Sequence, residues 1–519
     1  MSPRSFRYAG VSAATALMLA GCSLAPDYQR PAAPVAQQYP DLQQAAAGAA
    51  REGTQSAAAA TPQVAHTADL GWRQFFRDPR LQALIGIALE NNRDMRIAVQ
   101  NVLAAQAQYG IQAGARLPTI GLQGSSTITS SSQSVRRANG ASTRMSRSLQ
   151  AGVGISSFEL DFFGRIKNLT KAAYEQYLAT QEAQRTVQIS LIGEVAQAYF
   201  NLRSAEQQAD LLRKTMQSRQ STYDLVQSTF NNGVASALDV AQAKAQLDAS
   251  RADLQATLRA QSQARNALQL VLGEPIPADL PAGAVFGRDQ MLSAVPIGLP
   301  SDLLERRPDI MQAEHNLKAA DANIGAARAQ FFPNISITAL LGLASPALSG
   351  LFQAGNGMWS FSPTITQPLF AGGSLAGNLD LAKANQKIAV AQYEKAIQTA
   401  FREVADALAG EATYSSQLDA LRSEQTESQR ALDLAQIRYK SGVDSFLQVQ
   451  TAAVNLYAVQ SSFLQAGLDS LVNRVNLYKA LGGGWLENSG APAAAAAQAP
   501  AGQAGGAPAT AAPQKTSAS

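Results

Sequence analysis

The stretch FNNGVASALDV, Phe230–Val240, breaks a run that otherwise has the composition of one very long helix, and YKSGVDSFLQV, Tyr439–Val449, returns in nearly the same words. In each copy a glycine, Gly233 or Gly442, supplies the left-handed backbone that ends a helix. A serine three residues later, Ser236 or Ser445, caps the next helix, with Asp239 completing a capping box in the first copy and Gln448 replacing the acid in the second. Both stretches read as tips of helical hairpins.

The hairpin arms are too long and too charged for a membrane. From Gly164 to Phe230 there is no proline, and a helix of that length spans about 100 Å, against roughly 30 Å for the apolar core of a bilayer. Lys167, Lys171, Glu175, Glu182, Arg185, Glu194, Arg203 and Glu206 fall within it, so it stands in water. Val195, Tyr199, Leu202, Ala205, Ala209, Leu212 and Met216 recur at spacings of three and four, a coiled-coil seam. Arg219 interrupts that seam, and Tyr223, Val226 and Phe230 resume it.

The chain is an internal duplication. NNRDMRIAVQNVLAAQAQ from Asn91 answers to ERRPDIMQAEHNLKAADAN from Glu305, pairing Asp94 with Asp309, Asn101 with Asn316 and Ala105 with Ala320. Each half runs helix, strand, strand, long helix, break, long helix. The shorter helices are expected at about 79–115 and 301–330. Strands follow Pro118 and Pro333, and Leu149 to Phe163 alternates through Leu149, Ala151, Val153 and Ile155 before its phase slips near Ser157. Ile335, Ile337, Ala339, Leu341 and Leu343 alternate in the second half, then Trp359, Phe361, Pro363 and Ile365. Period two with one apolar face belongs to strands dividing an apolar medium from a polar one. The segments 130–147, carrying four arginines and no acid, and 345–357 read as surface loops. Four strands in one chain leave open edges that cost several kcal/mol per unpaired group in lipid, so a barrel requires further copies, whose number these residues leave open.

Composition limits what else the chain can do. It has 519 residues, 6% aromatic and 15% charged, with a formal charge of +4, so no concentrated basic face invites nucleic acid. The first residues carry Arg4 and Arg7, an apolar run from Val11 to Ala20 and the word LAGC at Leu19–Cys22, which resembles a bacterial lipoprotein signal with covalent lipid on Cys22. That resemblance, with Ser23 rather than Asp after the cysteine, points away from retention in the inner membrane. Cys22 is the one cysteine, so an internal disulfide is impossible. The expected layout is a signal peptide over 1–21, an acylated arm over 22–69, two repeats over 70–295 and 296–487, and a disordered Ala/Gly/Pro-rich tail over 488–519.

The words LAGC, FELDFFGRIKN from Phe158, the first tip, ERRPDIMQAEHNL, ARAQFFPNISI from Ala327, QPLFAGG from Gln367 and the second tip, in this order, make the chain similar to the TolC-like outer-membrane efflux channels, in the lipoprotein branch serving resistance-nodulation-division tripartite pumps. The resemblance covers nearly everything from Ala25 to about Trp485. It implies a mixed α and β fold: a homotrimer whose twelve-stranded transmembrane β-barrel, four strands per chain, continues as a long periplasmic α-helical barrel. It also implies passive conduction of small toxic compounds through the outer membrane, a periplasmic tip shut at rest, and an adaptor protein and inner-membrane transporter as partners.

By the same resemblance, Leu447 matches a pore-constricting leucine, while Thr451 stands where an acid is common; with Asp444 these residues are the expected gate. Gly233, Val234, Ser236 and Asp239 at the first tip, and Gly442, Val443 and Ser445 at the second, are the expected adaptor contacts. The competing readings are a passive porin, which leaves the long hairpins unused, and a structural coiled-coil lipoprotein, which leaves the strands unexplained. His66 and His315 are too far apart in the chain to suggest a metal site, no phosphate loop occurs, and neither an enzyme nor a cofactor other than lipid is expected.

Overall fold

The structure is a computed structural model describing residues 24–36, 67–138, 145–284, 286–287, 290–292 and 303–489. The expected signal sequence with Cys22, His66 and the tail beyond 489 lie outside the described residues. In chain order the elements are α1 (Trp72–Phe75), α2 (Pro79–Asn91), α3 (Arg93–Gly114), β1 (Ile120–Ser130), α4 (Gln133–Ala138), β2 (Met145–Leu160), α5 (Arg165–Asn231), α6 (Ala237–Leu272), α7 (Leu303–Arg306), α8 (Pro308–Ala329), β3 (Asn334–Ser345), β4 (Gly357–Thr366), α9 (Ser374–Lys440) and α10 (Phe446–Ala480). The duplication is metrical: α5 and α9 each have 67 residues, and α3 and α8 each have 22.

The expected helix over 79–115 is two helices. Asn92 takes an extended conformation, accepts a hydrogen bond from Met95 N at 2.9 Å to cap α3, and donates Nδ2 to the carbonyl of Val271 at 2.8 Å. Val271 lies at the C-terminal end of α6, where the last carbonyls lack helical partners. The N-terminus of α3 therefore abuts the C-terminus of α6, and the two pieces together run beside α5. The second half repeats the device: the expected helix over 301–330 breaks at Arg307, extended before Pro308, and Arg307 Nη1 donates to the carbonyl of Ala480 at the end of α10 at 2.9 Å. Two composite columns thus match the two long helices.

The four strands form one antiparallel sheet in the order β1-β2-β3-β4, with β1 and β4 unpaired on their outer sides. Register aligns Leu122 with Val153, Val153 with Leu341 and Leu341 with Trp359, so one face carries an apolar row across every strand. Leu122 is 88% and Trp359 76% exposed. The opposite face aligns Ser336 with Thr364 and Thr338 with Ser362. The phase slip in β2 is a bulge between Ile155 and Phe158, with Ser157 at φ 53°. On the polar face Gly152 opposes Gly342, and a Cβ on Gly152 would lie 2.5 Å from the Leu341 carbonyl oxygen, so only glycine permits the two backbones to come this close.

Of the expected loop 130–147, Ser130 remains in β1, α4 occupies 133–138 and β2 starts at Met145. The largest buried cluster joins Trp72, Phe75 and Phe76 to Leu84, Tyr199 and Phe200 where α1 and α2 meet α5. A second joins Ile310 of α8 to Tyr393, Ile397 and Val404 of α9 and Leu477 of α10. On the α5 seam Val195, Tyr199, Leu202, Ala209 and Leu212 are buried, whereas Phe230, expected on the seam, is exposed at the tip. No described helix is long and apolar enough to cross a membrane.

The N-terminal arm descends α8. The carbonyl of Leu24 accepts Arg328 Nη1 at 3.0 Å, Tyr28 donates to Glu314 Oε1 at 3.0 Å, and Arg30 Nη2 meets Glu314 Oε2 at 3.1 Å. Ala33 and Val35 then pack on the second cluster. The arm's start lies beside the end of α8, from which the chain enters β3.

Candidate functional site: the hairpin tips and the open sheet

Both tips close by the same backbone pattern. Val234 N donates to Thr229 O at 3.0 Å and Gly233 N to Phe230 O at 2.9 Å; Val443 N donates to Arg438 O at 2.9 Å and Gly442 N to Tyr439 O at 2.9 Å. These paired bonds are Schellman turns, which need a left-handed residue, and Gly233 and Gly442 sit at φ 76° and 74°. Val234 and Val443 project into solvent at the two ends.

The caps differ. Ser236 Oγ accepts from Asp239 N at 3.1 Å while Asp239 Oδ2 accepts from Ser236 N at 3.0 Å, a reciprocal capping box. Ser445 also occupies a cap position, but its side chain makes no capping bond, contrary to the expectation from sequence. The second tip is held instead by Arg438, whose Nε and Nη2 grip Asp444 at 2.6 and 2.9 Å. This bidentate bond from Arg438 holds the Asp444 carboxyl below its ordinary value. Sequence reading missed Arg438, although a basic residue in the last turn before an acid at the break was a visible signal.

Of the expected gate residues, Leu447 and Thr451 lie one turn apart on α10, and Asp444 lies in the turn that precedes it. Phe446 is 4% exposed and packs with Val449 against Val226 and Ala243 of the first hairpin and Leu432 of α9, tying the tips together. Leu447, the next residue, is turned away from that seam and is 53% exposed. Thr451 lies one turn on, its hydroxyl donating to the Leu447 carbonyl at 2.9 Å. Asp444 precedes Leu447 by one turn with its carboxylate engaged by Arg438. Leu447 therefore offers an uncommitted apolar side chain, and Asp444 a charge already paired within its own chain. Gly233, Val234, Ser236, Gly442, Val443 and Ser445 are exposed, and Asp239 is half-buried in its box. His315 is not beside a metal cluster: its Nδ1 lies 2.8 Å from Glu175 Oε2.

Comparison with known proteins matches this architecture twice over. The family model described as outer membrane efflux protein matches residues 84–274 and again 299–483, one match per half. The toluene efflux pump outer membrane protein TtgC and the antibiotic efflux pump outer membrane protein ArpC, both of Pseudomonas putida, are each 45% identical over 480 residues, covering 92% of this chain and 96% of theirs. The open state of the MtrE outer membrane channel of Neisseria gonorrhoeae superimposes with a TM-score of 0.78 at 37% identity, covering 90% of this chain and 100% of that one. A duplicated sheet-and-hairpin unit is thus accounted for: the chain belongs to the outer membrane efflux protein family and is a non-catalytic outer-membrane channel of tripartite efflux pumps.

Proposed function

We propose that three copies of this chain close a twelve-stranded barrel by pairing the β1 edge of one copy with the β4 edge of the next, and that the resulting duct exports small apolar toxicants, solvents and antibiotics among them. The observation that carries this reading is the four-stranded sheet with both edges unpaired and its apolar row turned outward. In hydrocarbon those edges must be paired, and a head-to-tail interface that closes on itself does so. The lipid-facing row and the polar opposite face fit a wall between bilayer and aqueous lumen. Relatives named for toluene and antibiotic efflux support the cargo class.

In this reading the two tips point into the periplasm and meet an adaptor protein, bridging to an inner-membrane transporter of the resistance-nodulation-division class that supplies the energy. Leu447 from each copy forms an apolar constriction that dewets the closed pore, with Asp444 and Thr451 flanking it. Lipid on Cys22 anchors the arm at the inner leaflet; the contact between Leu24 and Arg328, close below the start of β3, supports that level. Deletion of the gene is expected to lower resistance to toluene and to antibiotics, and the purified protein is expected to conduct in planar bilayers. A deletion strain with unchanged resistance, or a protein that inserts without conducting, refutes the export reading.

A further inference from the structure

The four strands and their connections, residues 117–158 and 329–379, contain no acid, and their only charged residues are Arg136, Arg137, Arg144 and Arg147. All four fall in or beside the connection between β1 and β2, at the end of the sheet away from the helices. Its counterpart between β3 and β4, residues 346–356, carries no charge, so the duplicated fold does not require them. Glu159, the nearest acid along the chain, stands at the opposite end of β2 and is paired with Arg165. The positive charge on this rim therefore has no counter-charge within the sheet.

Arg147 has a defined place on that rim. It shares the strand face of Leu149, Ala151 and Val153, ahead of the bulge after Ile155, so it belongs to the outward apolar row and not to the polar face. It is exposed, and its register partner on β1 is Ile128, 63% exposed. β2 lies between β1 and β3, so copies joined at the β1 and β4 edges leave this spot uncovered. Its height follows from the register. Leu149 pairs with Ser345, ten residues along β3 from Ile335 at the helical end of the apolar row. Arg147, two residues farther, stands about 40 Å along the strands from Ile335, or about 30 Å along the barrel axis at a tilt of about 35–45°. An apolar band of roughly 25 Å ends below it, at the level where headgroups begin and a charge on the lipid face is tolerated.

We propose that Arg147 binds a phosphate group of the outer-leaflet glycolipid, with the acyl chains running down the row past Ile128, Val153 and Leu122. Phosphate oxygens fit the guanidinium fork, and the apolar row directly beneath matches the chains. α4 brings Arg136 and Arg137 into the same connection and adds to the charge of the rim. The site rests on the three-copy barrel proposed above, and its test separates the two.

The detergent-extracted full-length protein is titrated with bisphosphorylated lipid A, and bound lipid is read by native mass spectrometry on samples also scored for chain number and for conductance in planar bilayers. Saturable binding is expected, weakened at least about fivefold by Arg147→Gln, less by Arg147→Lys, and weakened likewise when the lipid A is stripped of its phosphates. Ser148 neighbours Arg147 on the polar face, opposite Thr127. The double variant Arg147→Ser, Ser148→Arg thus keeps the net charge but moves it off the lipid face, and is expected to bind as weakly as Arg147→Gln. Unchanged affinity in Arg147→Gln, in the double variant or for the dephosphorylated lipid overturns the proposal, as does a conducting trimer that binds no lipid A. Should a variant fail to assemble, the dephosphorylated lipid, tested on the unaltered chain, still decides. A particle that forms no barrel overturns both the site and the reading beneath it.

Discussion

Replacing Arg307 by methionine isolates the joint between α10 and α8. The Arg307 side chain is 9% exposed and donates to both oxygens of Asp309 at 2.9 and 2.6 Å, to Glu403 Oε2 at 2.9 Å and to the Ala480 carbonyl at 2.9 Å. Burial works against its charge, but Asp309 and Glu403 outweigh that and raise its pKa. Stranding a buried partner costs about 3–5 kcal/mol. Here Asp309 and Glu403 are 31% and 36% exposed and rehydrate in part, which lowers the expected cost to about 2–3 kcal/mol. At about 1.4 kcal/mol per tenfold, local opening becomes about 30- to 140-fold more populated. Hydrogen exchange reads this directly: the amides of Met311, Leu481 and Gly482, bonded within the two helix ends that meet at the joint, are expected to lose that much protection, while Gly233 and Gly442 at the tips are unchanged. Adding Glu403→Gln removes one stranded charge and restores part of the protection. Unchanged exchange at the joint, or an equal rise at the tips, refutes the claim that Arg307 splices two helices into one column.

Gly442→Val places a β-branched residue at φ 74° and is expected to cost about 1–2 kcal/mol, seen as faster proteolysis at the second tip; unchanged cleavage contradicts the left-handed turn. Burial alone would raise the Glu314 pKa, but bonds from Lys318, Tyr28 and the charge of Arg30 bring it below its ordinary 4.5. Its contribution to arm docking is thus full above pH 4.5 and is lost as pH falls through the lower folded value, so exchange in residues 24–36 is expected to rise there, and Glu314→Gln is expected to remove that pH dependence. Leu447→Ala is expected to raise closed-state conductance of the assembled channel in planar bilayers, and an unaltered closed state removes Leu447 from the gate. Cys22→Ser is expected to lower the mature mass by the acyl groups; identical mass apart from the substitution contradicts acylation.

Features governed by local backbone chemistry were the most legible in the sequence. Gly233 and Gly442 announce their turns because few other residues accept that conformation, and alternation exposes the strands together with the bulge at Ser157. The break at Asn92 was not legible: asparagine disfavours helix only mildly, and what stops the helix is the Val271 carbonyl, supplied by a residue far along the chain. Ser445 misled because its surroundings copy Ser236, while in the folded turn its side chain makes no capping bond. At the proposed gate, Leu447 could be chosen by its match to the family's pattern, but that Phe446 and not Leu447 fills the seam depends on how the second hairpin rolls against the first. The engagement of Asp444 by Arg438 likewise needs the turn's three-dimensional path.

The account rests on a wall that one chain leaves open on both sides. Native mass spectrometry of the detergent-extracted protein, on the material that conducts in bilayers, tests this most directly. Three chains per particle are predicted; a conducting monomer with its own strands closed, or any other stoichiometry, contradicts it.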